Sequence, residues 1–238
     1  MRINILRKQY YIPLNSLNVS RQVEFRVLSR YLSLRATDIL CDMGCGDGYW
    51  SKKFARMKSC RVFGIDLNPT RINDANKSNH NNISFITGNI HNLPYKSYFF
   101  TKIVSICVLE HLEDDIKVLK EMRRVILDGG ILAITVDSFS YPNISDILKN
   151  NHKNSYHVVN YYSYDKLEKK LSDSGFKILD HKFITNSPVS KILYEFYIRH
   201  RKLSYFLFPL AYPLSILSDS LFGSKKYGFK LAIKAQAV

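Results

Sequence analysis

Asp38 to Phe54 reads DILCDMGCGDGYWSKKF, and this stretch decides the fold. Ile39, Leu40 and Cys41 form a short apolar run of the kind that makes a buried strand. Asp42 follows. Gly44, Gly46 and Gly48 then alternate through a turn where the backbone must bend sharply and lie close to a ligand. Trp50, Phe54 and Met57 recur beyond the turn at helical spacing. A glycine turn that opens a helix aims backbone N–H groups and the positive helix end at whatever sits there, and a carboxylate-bearing ligand is welcome. Two phosphate-binding loops do not fit. A P-loop needs Lys followed by Ser or Thr after its last glycine, where this chain has Tyr49 and Trp50. A dinucleotide fingerprint needs glycine at position 49, which Tyr49 occupies.

The 238 residues suit one domain with elaborations, and a hydrophobic content of 46% can fill its core. Lys and Arg number 35 against 20 acids, a formal net charge of +15. Such a balance favours anionic partners: nucleic acid, phosphorylated substrates or an acidic membrane face. Cys41, Cys45, Cys60 and Cys107 lack paired CxxC spacing and have no His companions at zinc-finger intervals. No metal is expected, and the thiols read as reduced, in a cytoplasmic protein. The N-terminus has no long apolar run followed by a cleavage site, which argues against secretion. The longest uncharged run, Leu203 to Ser218, falls short of the roughly 20 residues that span a bilayer. Pro209 and Pro213 interrupt it, so no transmembrane helix is expected.

Residues 1–18 form a basic, aromatic arm, and Ser20 is expected to cap a helix running to about Leu34. Arg61 to Ile65 reads as a second strand ending at Asp66. That acid lies about 20 residues past the glycine turn, where nucleotide folds place a carboxylate for two ribose hydroxyls. Pro69 starts a helix, and Ile83 to Ile86 is a third strand followed by Gly88-Asn89-Ile90. Lys102 to Cys107 is a fourth strand. Asp114 or Asp115 then caps a helix with Ile116, Leu119, Met122 and Ile126 on one stripe, and Ile131 to Val136 is a fifth strand. Strands alternating with helices imply a parallel sheet covered on both faces.

DMGCGDG resembles the first motif of the class I S-adenosylmethionine (SAM) methyltransferases: an acid, one apolar residue, then GxGxG. HNLPY resembles that family's NLPF turn, Val108-Leu109-Glu110-His111 its vLEH, and Asp128-Gly129-Gly130 stands where relatives commonly have Pro-Gly-Gly. In this order, over roughly residues 35–185, the chain is similar to the ubiquinone/menaquinone-type (type 11) methyltransferases. Two positions depart from the pattern: Asn89 replaces a usual Asp, and Thr101 follows Phe100 where Asp is usual. The resemblance implies an α/β, Rossmann-like, doubly wound fold. Its seven-stranded sheet is mostly parallel, with an antiparallel last strand near Phe229 to Ala235 and a helical insertion before it. It implies SAM as the cofactor. Asp42, Gly44, Cys45 and Gly46 would meet the methionine end, Asp66 and Leu67 the ribose, Asn89 and Ile90 the adenine, and the backbone near Cys107 and Val108 would complete the site.

The methyltransferase domain then covers 35–238, after an arm and helix over 1–34. Substrate-lid segments are expected at about 139–162, as an irregular polar stretch, and at 186–228, where aromatic and aliphatic residues adjoin RHRK. His111 is the candidate general base, because its titration range suits proton transfer near neutral pH. Glu110 stands beside it, and His157, Tyr161 and Tyr162 are candidate substrate contacts. The expected activity is methyl transfer to a small-molecule or lipid-like acceptor, with peripheral contact to an anionic membrane surface. An RNA or other nucleic-acid methyltransferase and a non-catalytic SAM-binding protein are the alternatives.

Overall fold

The computed structural model describes residues 17–77 and 81–238, so most of the expected N-terminal arm lies outside the described residues. Strands β1 (Ile39–Met43), β2 (Arg61–Asp66), β3 (Ile83–Thr87), β4 (Phe100–Ile106), β5 (Ile126–Asp137), β6 (Phe176–Ile184) and β7 (Lys230–Ala237) form one sheet. Its order is β3-β2-β1-β4-β5-β7-β6. The first five strands pair in parallel, and β7 runs antiparallel between β5 and β6. β1 is central, and four of its five residues are buried. A strand covered on both faces must read as an apolar run rather than an alternation.

The helices are α1 (Val19–Leu32), α2 (Tyr49–Lys58), α3 (Pro69–Ala75), α4 (Asp115–Val125), α5 (Asp146–Tyr156), α6 (Tyr164–Asp173), α7 (Pro188–Arg199), α8 (Arg201–Phe206) and α9 (Phe208–Phe222). α1 lays Val27, Leu28 and Leu32 with Phe54 of α2 against one sheet face. On the other face α4 brings Val118, Leu119 and Met122 together with Leu167 and Leu171 of α6. Each helix carries its apolar residues at the three- and four-residue intervals that make one face.

Several boundaries differ from the sequence reading. Asn18, not Ser20, caps α1: its side-chain oxygen accepts from the Arg21 N–H at 3.1 Å. The irregular stretch expected over 139–162 contains α5, started by Ser145. α9 runs through both prolines. Pro209 sits in the first turn, where no donor is required, and Pro213 removes only one N–H from the ladder. Met57, expected on the buried face of α2, is 46% exposed, whereas Phe54 is fully buried. All four cysteines are free and buried. Among the described residues no helix is long and apolar enough to cross a membrane.

Candidate active site

The register places Met43 beside Ile65, and Asp66 beside Thr87. The glycine turn, Asp66 and Asn89 therefore stand in a row along the carboxyl edge of β1, β2 and β3, next to the point where strand order reverses between β1 and β4. Open α/β sheets collect ligands there. Gly44, Gly46 and Gly48 all have positive φ (77°, 58° and 73°), which glycine alone adopts freely. They differ in what surrounds them. A Cβ on Gly44 would lie 2.4 Å from the Val108 side chain, and one on Gly48 would lie 2.4 Å from Phe85. Those two glycines are required by packing. A Cβ on Gly46 would meet only the tip of Arg71, at 3.6 Å, so Gly46 faces open space.

The turn's N–H groups are spent within the fold rather than aimed outward as the sequence suggested. Gly44 and Cys45 both donate to the Ile65 carbonyl, at 2.8 and 3.0 Å. Gly46 donates to Asp66 Oδ2 at 2.8 Å. Asp66 Oδ1 accepts from the Asn68 N–H at 2.9 Å, so the carboxylate is fixed by two backbone donors and stays half-buried, with acceptor capacity to spare. Leu67 beside it is 72% exposed. Asn89 Oδ1 accepts from the His91 N–H and faces His91 Nδ1, both at 2.9 Å. Ile90 packs into the core below. Cys45 turns its thiol away, toward Ile72, Ala75 and Phe85.

Asp42 is buried and accepts from Ser51 Oγ at 2.5 Å. Burial pushes its carboxyl up to about 7, and the nearby Asp66 adds to the rise while Ser51 opposes it. A cationic group brought to this carboxyl would favour its ionised form.

Beyond β4 and β5 lies a second, polar cavity of about 50 Å³. Arg21 and Glu24 of α1, Cys107 and Glu110 after β4, Asp137 at the end of β5 and Lys230 of β7 form its charged wall. Cross-strand register sets Lys230 opposite Asp137, and the two form an ion pair. Glu24, fully buried, accepts from Arg21 and the Cys107 thiol at 3.1 Å and from Thr135 Oγ1 at 2.8 Å. Burial alone would raise Glu24, but Arg21 and then Lys230 outweigh it and hold it ionised. Burial works against the charge on Lys230 as well, and Asp137 with the Cys107 sulfur overcomes it. Burial, reinforced by Asp137, pushes Glu110 upward, and Lys230 and Arg21 oppose the rise. Its Oε1 accepts from the Asp137 N–H at 3.2 Å, and its buried Oε2 has no hydrogen-bond partner among the described residues. His152 is pulled down to about 4 by burial and is neutral.

Cys107, Glu110 and Asp137 place ligand atoms within 4.8 Å of one another, as a metal site would. The Lys230 ammonium, bonded to both Asp137 and Cys107, already supplies a positive charge to that cluster.

His111 stands exposed at the rim of this cavity. The surrounding walls desolvate its ring and lower its pKa. Its Nδ1 lies 3.3 Å from the His157 carbonyl, which can only accept, so the proton belongs on Nδ1 and Nε2 is left as the basic nitrogen. His157 thus reaches the site through its backbone, while its own ring is exposed. Tyr161 turns its hydroxyl to His152 Nδ1 at 3.1 Å and to the Lys149 carbonyl. Tyr162, expected to contact substrate, is fully buried, with its hydroxyl held by the Leu109 carbonyl and Asp115. It packs the wall and does not line the cavity: its own N–H donates to the Asp137 carbonyl at 3.0 Å and its ring joins the core.

Sequence reasoning missed Glu24, Asp137, His152 and Lys230. The one available signal was Glu24, a carboxylate between Val23 and Val27 on the apolar stripe of α1.

Residues 41–134 match the family model described as "Methyltransferase domain". Those residues carry a methyltransferase domain. SAM is its cofactor, and the half-exposed Asp66 with the open space at Gly46 fits such a ligand. The "Putative methyltransferase" of Encephalitozoon cuniculi is 29% identical over 175 residues, covering 66% of this chain and 77% of that protein. Norajmaline N-methyltransferase of Rauvolfia serpentina is 31% identical over 111 residues, 44% of this chain and 37% of that one. The fold is also that of Haemonchus contortus phosphoethanolamine N-methyltransferase 2 solved with SAM (TM-score 0.69, 16% identity, 91% of this chain and 52% of that one).

Proposed function

We propose that this methyltransferase acts on a lipid-like acceptor, with a polar nucleophilic head and an apolar tail. One observation carries the reading: the polar cavity shares a wall with an apolar slot. Asn18, Ser20, Tyr194 and Tyr197 line both. The slot continues between α1 and the insertion along Leu17, Val19, Leu193, Phe196, Leu207 and Ala211. A head hydrogen-bonded by Glu110, Asp137 and Lys230 would leave its tail pointing along the slot. The two spaces hold about 50 and 30 Å³, room for little more than water, so an acceptor enters as α7–α9 move outward. A small acceptor agrees with the name of the norajmaline enzyme, though not with a tail. An acceptor of this class is held in a bilayer, so peripheral contact with an anionic membrane face belongs to the same reading.

When bound, SAM supplies a methyl activated on a sulfonium. Asp42, Gly44, Cys45 and Gly46 would hold its methionine end, Asp66 and Leu67 its ribose, and Asn89 and Ile90 its adenine, with the His91 ring giving way to the adenine amino group. Cys107 and Val108 would form the floor between cofactor and acceptor. His111 is the general base: Nε2 takes the proton of an acceptor O–H or N–H, and the lowered pKa keeps the ring neutral and ready at pH 7. His157 positions that ring, and Tyr161 and Tyr162 position the walls rather than the substrate.

Methyl-labelled SAM incubated with the protein and fractionated cell lysate tests this. Label should enter the organic phase, vanish with Gly46→Arg, and fall on the order of 100-fold with His111→Ala. Label confined to RNA or to water-soluble metabolites would overturn the acceptor class. Calorimetry showing that the folded wild type does not bind SAM would overturn the function itself.

A further inference from the structure

The insertion has two faces of unlike character. Toward the domain, α9 buries only small residues, Ala211, Ser215 and Ser218. Away from it stand Leu210, Leu214, Leu217 and Leu221, exposed by 69%, 51%, 57% and 63%. Their spacing of four, three and four residues puts them on one stripe. Phe206 of α8, 82% exposed, and Phe222, 70% exposed, extend the apolar surface at both ends. Among the described residues nothing packs over it. Ordinary surface helices carry their apolar stripe inward. The single acid on α9, Asp219, is not available to charge the outer face: its carboxylate accepts from the N–H groups of Thr185, Asn186 and Ser187.

Basic residues bracket the stripe. Arg201 and Lys202 are exposed before α9, with Arg199 close by, and Lys225 and Lys226 are exposed after it. An apolar stripe with cations at both ends matches the layers of an anionic bilayer surface: leucines enter the acyl boundary while long basic side chains stay among the headgroups. Helix α9 has 15 residues, too few to span, so it would lie in the plane of the interface.

We propose that the outer face of α8 and α9 is a docking surface for an anionic lipid bilayer. Its purpose rests on the lipid-like acceptor, while its existence rests on the patch alone. Leu207 links the two, because it lines the apolar slot and is also 41% exposed at the edge of the stripe. A docked protein would therefore present the slot to the membrane, and an acceptor would pass from bilayer to cavity without crossing water.

Flotation with vesicles, in the absence of SAM and acceptor, tests the surface. The 238-residue chain should float with phosphatidylcholine vesicles containing phosphatidylglycerol, and much less with phosphatidylcholine alone. Leu214→Ser with Leu217→Ser should abolish flotation while leaving calorimetric SAM binding unchanged, which establishes that the variant is folded. Lys225→Glu with Lys226→Glu should weaken flotation on the order of tenfold or more. Three results would overturn the proposal. One is wild type that binds no vesicles. Another is binding that the leucine variants leave intact. The third is flotation that appears only when residues 1–16 are deleted, which would make that segment the occupant of the stripe. A concentration-dependent dimer lost in the leucine variants, without vesicle binding, would assign the face to a second copy instead. Intact flotation with no label in lipid would sink the acceptor reading and leave the docking surface standing.

Discussion

Burial makes ionised Asp42 costly. Its folded-state value is about 7 against an ordinary 3.8, so between those pH values the folded protein binds more protons than the unfolded chain. The stability that protonated Asp42 permits is complete below about 4, declines as pH rises, and is gone above about 7. Asp42→Asn should therefore leave stability nearly unchanged at pH 4 and raise it at pH 8 by on the order of 2–4 kcal/mol, read by urea unfolding at both pH values. The same variant should lose SAM affinity if Asp42 meets the methionine ammonium. In the wild type that affinity should climb between pH 6 and pH 8 as the carboxyl ionises, measured by calorimetry. A flat profile would place the ammonium elsewhere. Asp42 was legible in the sequence because its partners are local: a strand before it, a glycine turn after it, Ser51 in the first turn of α2. Lys230 was not, because what makes it a site residue is Asp137, 93 positions away.

At the scale of elements, the insertion is clasped to the sheet by one side chain. Asp219 of α9 accepts from the N–H groups of Thr185, Asn186 and Ser187 at 3.0 to 3.3 Å and from Ser187 Oγ at 2.7 Å, where α7 begins. Thr185 and Asn186 precede the helix, and the N–H of the N-cap Ser187 is shared with Ser190 Oγ at 3.1 Å. Asp219→Ala should cost on the order of 1–3 kcal/mol, and the loss should be local. Hydrogen exchange should quicken across α7–α9 and stay unchanged in β1 and β4; uniform quickening would show that the insertion and sheet open as one unit. The helices themselves were readable from spacing. That the leucines of α9 face outward was not, since periodicity reveals a stripe without saying which side of it is covered. α5 was missed for another reason: Lys149, Asn150, Asn151, Lys153 and Asn154 make its sequence polar on nearly every face, and only Leu148 and His152 are buried.

Across the whole molecule, Glu24 ties α1 to β4, β5 and β7. It touches Cys107 and Thr135, and its charge offsets Arg21 and Lys230. Glu24→Ala would leave the half-buried Arg21 without its carboxylate and the buried Lys230 with Asp137 alone, and should destabilise the protein by on the order of 3 kcal/mol in urea unfolding, with Glu24→Gln between wild type and Glu24→Ala. Equal stability of wild type and Glu24→Ala would show that the network is dispensable to the fold. The succession of strands and helices along the chain, the glycine turn and the placement of Asp66 at a strand end were determined by sequence alone. Each follows from neighbours within a few residues: apolar runs make strands, glycines permit positive φ, and alternation of strand and helix requires parallel pairing. Tertiary structure alone decided the acceptor side. The polar cavity is assembled from α1, the turn after β4, the end of β5, α5, α7 and β7, segments that meet only when the sheet closes. Burial there pushes Glu110 upward, while Arg21 and Lys230 overcome burial to hold Glu24 ionised, and both burial and these pairings are properties of the packed whole that no local pattern encodes.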